Sequence, residues 1–104
     1  MKKELWIHSV NISVLPADDQ VAYLMELAVE RFNRNQSFTD EEVSALFEAL
    51  EKGCKAKPLA EGLRTLIKHI QKRYNGKISF NVAVVEACVS CLRAGGAPDN
   101  FLNI

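Results

Sequence analysis

The segment Ser79–Gly96, SFNVAVVEACVSCLRAGG, constrains this chain more than any other. Between Phe80 and Leu92 only Asn81, Glu86 and Ser90 are polar, and a segment apolar on nearly every side is stable only where neighbours cover it all round. It is expected at the centre of the molecule. Two periods compete for it. Ile78, Phe80, Val82 and Val84 alternate, and the β-branched valines suit a strand. Phe80, Ala83, Val84, Ala87, Cys88, Cys91 and Leu92 recur at intervals of three and four, leaving Glu86, Ser90 and Arg93 as a narrow polar strip. The helical period accounts for more residues, and the punctuation agrees: Ser79 can cap the N-terminus, Arg93 sits in the last turn, and Gly95, Gly96 and Pro98 supply a stop. A helix over 79–94 is expected, with a strand over 78–85 as the alternative.

A core helix needs partners, and the chain supplies three. Asp18 and Asp19 follow Pro16 in the first turn of a helix over about 17–33, whose face is Val21, Leu24, Met25, Ala28 and Phe32, with Tyr23 and Leu27 on a second flank. Asn33 to Gln36 form the linker. Thr39 with Glu42 three residues on makes a capping box, and Phe38 with Val43 the matching hydrophobic staple. They open a helix over 40–52 that buries Val43, Leu46, Phe47 and Leu50 and stops at Gly53, expected in the left-handed conformation. Pro58 opens a third helix over 58–74 with Leu59, Leu63, Leu66, Ile67, Ile70 and Tyr74 in one stripe, and Asn75-Gly76 turns the chain into the central segment.

The first sixteen residues differ in period. In LWIHSVNISVL, residues 5–15, Trp6, His8, Val10, Ile12 and Val14 alternate and would share one face of an extended segment. A lone strand needs a partner, so the expectation is an ordered arm across the helices; pairing with 78–85, or across a dimer, are the other routes. The fold expected is all-α or nearly so, a compact four-helix bundle with an extended N-terminal arm or strand in a single domain over 1–104, against an α+β alternative with strands at 5–15 and 78–85. The tail, 95–104, ends in Phe101, Leu102 and Ile104 and is expected to pack back onto the body.

Charge is unevenly distributed. The chain's 13 basic and 13 acidic residues cancel, yet residues 17–51 carry nine acidic against two basic residues and 52–77 carry eight basic against one acidic, net −7 and +7. On the third helix Arg64, Lys68 and Lys72 recur every four residues opposite the leucine stripe, with Lys57 in line behind them. Such a ridge can simply be solvated. With the acidic residues Asp40, Glu41 and Glu48 on the second helix, it can also steer a partner of complementary charge. A third use is contact with nucleic-acid phosphates, the second and third helices mimicking a helix-turn-helix. Against that stand the long loop 53–57, an acidic preceding helix and zero net charge.

Catalytic and metal chemistry is poorly represented. Cys88-Val-Ser-Cys91 is a CxxC, but it lies near the end of a helix rather than at an exposed helix N-terminus with a βαβ scaffold following. Zinc would need two more ligands from Cys54, His8 and His69, which form no second close pair. Cys88 and Cys91 are expected as packed hydrophobes, and the three cysteines as free thiols in a reducing compartment. Asn11-Ile12-Ser13 matches a glycosylation sequon only by chance. No nucleophile–base–orienter set is legible; Asp40, Glu41 and Glu42 are explained by the helix first turn, and Gly95-Gly96 follows a helix instead of preceding one.

No cofactor, metal or catalytic residue is therefore expected, and neither a secretory signal nor a membrane span is evident. The reading is a cytoplasmic, non-catalytic module binding another protein through Lys57, Arg64, Lys68, Lys72, Asp40, Glu41 and Glu48, as a monomer or a homodimer. Small accessory or inhibitory factors, including those of phages and mobile elements, have this size and character. Nucleic-acid binding through the third helix is the alternative, and a metal or thiol site at the CxxC the third.

Overall fold

In the computed structural model, which describes residues 4–94, the segment at the centre of the sequence is a helix: Phe80–Arg93. Ser79 caps it, its hydroxyl accepting from Val82 N at 3.3 Å. A strand over 78–85 does not form, since Ala83, Val84, Val85, Ala87, Cys88 and Val89 are all buried at helical spacing. Three further helices precede it, so the elements run β1 (Trp6–Ile7), β2 (Val10–Asn11), a 3-10 turn (Ile12–Val14), α1 (Ala17–Asn33), α2 (Asp40–Lys52), α3 (Lys57–Arg73) and α4 (Phe80–Arg93). The result is a four-helix bundle with a two-stranded antiparallel sheet at its N-terminus.

α4 packs against α3, α1 and α2, which is why it is apolar on so many sides. Its polar strip, Glu86, Ser90 and Arg93, lies where the three partners leave a gap. Phe80 and Leu92, assigned by period to the buried face, sit at its ends and are 45% and 41% exposed. At α1 both flanks are buried, Leu27 as well as Val21, Leu24, Met25 and Ala28. In α3 the stripe holds through Leu63, Leu66, Ile67 and Ile70, but Tyr74 lies past the helix end and is exposed.

The capping box at α2 forms as its residues require: Thr39 Oγ1 accepts from Glu42 N at 3.2 Å, and Glu42 Oε1 accepts from Thr39 N at 2.8 Å. Phe38, just before the cap, is 1% exposed, and Val43 after it is buried. Among the described residues Glu42 is also the one buried charged side chain. Arg31, near the end of α1, grips it with Nη1 at 2.9 Å and Nη2 at 2.8 Å, and gives a further Nη1 bond of 2.8 Å to Ser37 O. Among the described residues no buried side-chain polar atom lacks a partner.

Gly53 ends α2 in extended backbone, φ −78°, not in the left-handed conformation expected. Space around it is tight. A Cβ would lie 2.7 Å from Asp18 Oδ1 and 3.2 Å from Ala56 Cβ, so the end of α2 seats against the start of α1. In the α3–α4 turn, by contrast, Asn75 (φ 55°) and Gly76 (φ 72°) are left-handed, as that dipeptide favours.

The N-terminal segment departs most from its sequence pattern. It is neither one extended arm nor a strand beside another element; it folds back on itself, with Ile7 opposite Val10 and Trp6 opposite Asn11. The reversal breaks the period-two face: Ile7 and Ile12 are buried, while Trp6 and Val14 are 59% and 76% exposed. His8 and Ser9 turn with φ of 50° and 66°, a left-handed pair that hairpins usually build from Asn-Gly. Leu5 N donates to Ser13 Oγ at 2.8 Å, Ile12 N to Leu5 O at 2.9 Å, and Gln20 Nε2 to Leu15 O at 2.8 Å, tying the hairpin to α1. The tail at 95–104 and its glycine stop lie outside the described residues.

The Arg31–Glu42 clamp makes a direct prediction. Arg31→Ala leaves a buried carboxylate without its cation and is expected to destabilise the fold by about 3 kcal/mol. Thr39→Ala removes one cap bond and is expected to cost about 1 kcal/mol. Urea denaturation of both variants checks the order.

Candidate functional site

The basic residues of α3 do not act as one row. Lys57, Lys68 and Lys72 point to solvent and make no ion pair among the described residues. Arg64, on the edge of α3 nearest α2, is drawn away: it pairs with Glu51 and its guanidinium lies 5.3 Å from the centre of the Phe47 ring. Both partners of that ion pair are well exposed, so it contributes little to stability. Its effect is to hold a cation over an aromatic face. Phe47 in turn meets Phe80 at the start of α4, ring centroids 6.2 Å apart.

The acidic residues converge instead. Asp40, Glu41 and Glu48 line one cleft of about 380 Å³ between α2 and the N-terminal hairpin, and Glu4 joins them from the hairpin side. Leu5, Ala45 and Ala49 form its apolar part. Asp40 is held by Asn81 Nδ2 at 2.9 Å, which also donates to Phe38 O at 2.9 Å; Glu48 pairs with Lys52 at 2.7 Å. α2 thus separates the two charged regions. It shows Phe47 and Glu51 to α3, and Ala45, Glu48 and Lys52 to the hairpin. Glu4 carried no signal in the sequence, because only the docking of the hairpin brings it to α2.

A second cleft, about 670 Å³ and open, lies between the hairpin tip and the end of α1, with Trp6, His8, Glu30, Arg34 and Gln36 around it. His8 Nε2 meets Glu30 Oε2 at 2.8 Å. That hydrogen bond, with the nearby Arg34 and Arg31 charges, lowers the Glu30 carboxyl below the usual range. Among the described residues no hydroxyl or thiol side chain is bonded to the His8 ring. The pair ties the strained turn to α1. His69 is exposed on α3, far in sequence from either cleft's lining.

Cys88 and Cys91 are buried side by side in α4, and Cys54 is exposed in the α2–α3 turn. Burial pushes the Cys91 thiol up to about 12 and the Cys88 thiol higher still, with Cys91 adding to the Cys88 shift. Burial thus holds both thiols protonated near neutral pH in the metal-free protein. Among the described residues no three His, Cys, Asp or Glu side chains are grouped to hold a metal ion, and no helix is long and apolar enough to cross a membrane.

The chain matches no known protein-family model, none of the curated proteins compared with it and no solved structure.

Two measurements follow. In the native protein a thiol reagent is expected to modify Cys54 alone at once, with Cys88 and Cys91 reacting only on unfolding; rapid loss of all three thiols from folded protein would contradict the packing described. His8→Ala is expected to raise the Glu30 carboxyl pKa toward the ordinary glutamate value, read by side-chain NMR titration. Since the folded-state pKa of Glu30 is depressed, its contribution to stability is present above the unfolded pKa and lost as pH falls through the folded one.

Proposed function

We propose that this chain is a non-catalytic protein-binding module, an accessory or inhibitory factor, whose cleft between α2 and the N-terminal hairpin receives a basic segment of a partner. One observation carries the reading: Asp40, Glu41 and Glu48 come together with Glu4 around a partly apolar floor. Lysine and arginine have the complementary form, an aliphatic stem that lies along apolar surface and a cationic head that meets carboxylates. Acidic residues gathered at a concave site also raise the encounter rate of a basic partner. The α2 surface rests on the clamp, the cap and the Asn81 bonds, so the cleft wall is set before a partner arrives, which lowers the ordering cost of binding. Three unpaired cysteines suit a reducing cytoplasm as the place of action.

The test uses the full chain as bait, beside the variant Glu4→Lys/Glu41→Lys. The wild type is expected to retain a partner at stoichiometric level from the native host. With that partner purified, calorimetry is expected to show binding weakened by roughly tenfold or more in the variant and by high salt. A partner held equally well by both forms, or no stoichiometric partner at all, rules the cleft out.

A further inference from the structure

Between Glu61 and Glu86 the chain holds no acidic residue, and Arg64, Lys68, His69, Lys72, Arg73 and Lys77 all fall in that interval. Arg64 is engaged by Glu51 and the Phe47 ring. Lys68, Lys72, Arg73 and Lys77 are exposed and make no ion pair among the described residues. Lys68 and Lys72 stand one turn apart on α3, about 6 Å along its axis, and Arg73 and Lys77 carry the charge on into the turn before α4. The same stretch holds two exposed aromatic residues: Tyr74, directly after α3, at 39%, and Phe80, the first residue of α4, at 45%.

Both rings are supported. The Tyr74 hydroxyl donates to Glu86 Oε1 at 3.4 Å, and Phe80 leans on Phe47 with ring centroids 6.2 Å apart. The turn between them is hydrogen-bonded within itself: Gly76 N donates to Gln71 O at 2.9 Å and Asn75 N to Lys72 O at 3.0 Å, the pairing that closes a helix C-terminus over a left-handed residue. Asn81, next to Phe80, is fastened to Phe38 O and Asp40. Cations and rings thus alternate on a backbone fixed before a ligand arrives, which lowers the ordering cost of binding.

A row of cations alone would serve any polyanion. Exposed rings among the cations narrow the choice, because a single nucleic-acid strand offers phosphates to the one and unpaired base faces to the other. A duplex keeps its base faces inside the stack and gives the rings no partner. A membrane surface is met by apolar residues foremost, whereas the tip of this turn is Asn75, Gly76 and Lys77.

We propose that the α3–α4 turn, with the end of α3 leading to it, binds single-stranded nucleic acid, Lys68, Lys72, Arg73 and Lys77 taking phosphates while Tyr74 and Phe80 stack on bases. Neither acidic α2 nor the loop 53–57 takes part, so the objections to a helix-turn-helix do not bear on it. The surface shares no lining residue with the hairpin cleft, and the two stand or fall separately.

Fluorescence anisotropy of a fluorescein-labelled DNA strand of ~16 nucleotides and mixed sequence, titrated with the full chain, tests it. Stacking and phosphate contact are common to DNA and RNA, so DNA serves as the probe. At ~50 mM NaCl a dissociation constant on the order of 10 µM is expected, with the duplex of the same strand bound roughly tenfold more weakly. Four neutralised phosphates give log K a slope of about −3 on log salt, and Lys72→Ala/Lys77→Ala is expected to reduce that slope by about 1.4. Tyr74→Ala is expected to weaken binding roughly tenfold with the slope unchanged, as the loss of one stacked base requires. Tyr74→Phe, which keeps the ring and loses the bond to Glu86, is expected to bind as the wild type does. Phe80→Ala is expected to behave as Tyr74→Ala; if its circular dichroism shows lost helix, Tyr74→Ala at its exposed site decides the matter. No anisotropy change up to ~200 µM chain overturns the proposal. So does a duplex bound as tightly as the single strand, or a Tyr74→Ala chain that binds normally, since either leaves only a row of cations. Capture of the chain by phosphatidylserine vesicles without binding to the strand likewise overturns it and assigns the turn to a membrane surface.

Discussion

The carboxylate of Glu42 carries more of this structure than any other single group. Almost wholly enclosed, with a side chain 6% exposed, it accepts from the two terminal guanidinium nitrogens of Arg31 and from the backbone N–H of Thr39. The net stability of such a pair is small, because desolvating two charges offsets most of their attraction. Its geometric effect is large. It joins the last turn of α1 to the first turn of α2, and Arg31 fastens the linker as well through Ser37 O. The loop between the helices then has few conformations left, and Phe38 within it enters the core.

From that joint the remaining contacts follow in sequence. The Phe38 carbonyl and Asp40 are where Asn81 brings the start of α4 onto α2, so the central helix is registered against the clamp and not merely covered by its neighbours. α4 then lies against all three other helices, and its cysteines and valines are sealed in. Arg93, at its far end, lies over the Phe32 ring of α1 at 5.5 Å. The CxxC is consequently a packing feature, its thiols held protonated by the burial that makes α4 the core.

The same construction sorts the charges. α2 presents one edge to α3 and the other to the hairpin, so residues that alternate along a single acidic helix divide between two surfaces. Glu41 and Glu48 enter a cleft with Glu4, while Glu51 pairs with Arg64 beside the Phe47 ring. The net charge of zero hides two poles, and the two poles hide at least two distinct places where charge can act.

Most of the helical architecture was legible in the residues themselves. Helical period, the Thr39–Glu42 box, the Ser79 cap and Asn75-Gly76 are local signals, each a matter of a few residues and their own hydrogen bonds, so no tertiary knowledge was needed to read them. The hairpin was not legible. His8 and Ser9 adopt left-handed backbone without the asparagine or glycine that would announce it, and what holds them, burial of Ile7 and Ile12 and the His8–Glu30 bond, comes from distant residues. Gly53 was misjudged for a related reason: its lack of a Cβ answers to Asp18, thirty-five positions away, and not to the helix it ends. The candidate residues are exposed, but which of them share a surface was not legible, since that depends on which neighbour lies on each side of α2. The sequence by itself determined the helices, their caps and the apolar segment that had to be central, because those depend on contacts within a turn or two. Tertiary structure alone decided the hairpin, the Arg31–Glu42 joint and the meeting of Glu4 with the acids of α2, because those depend on what the folded chain places side by side.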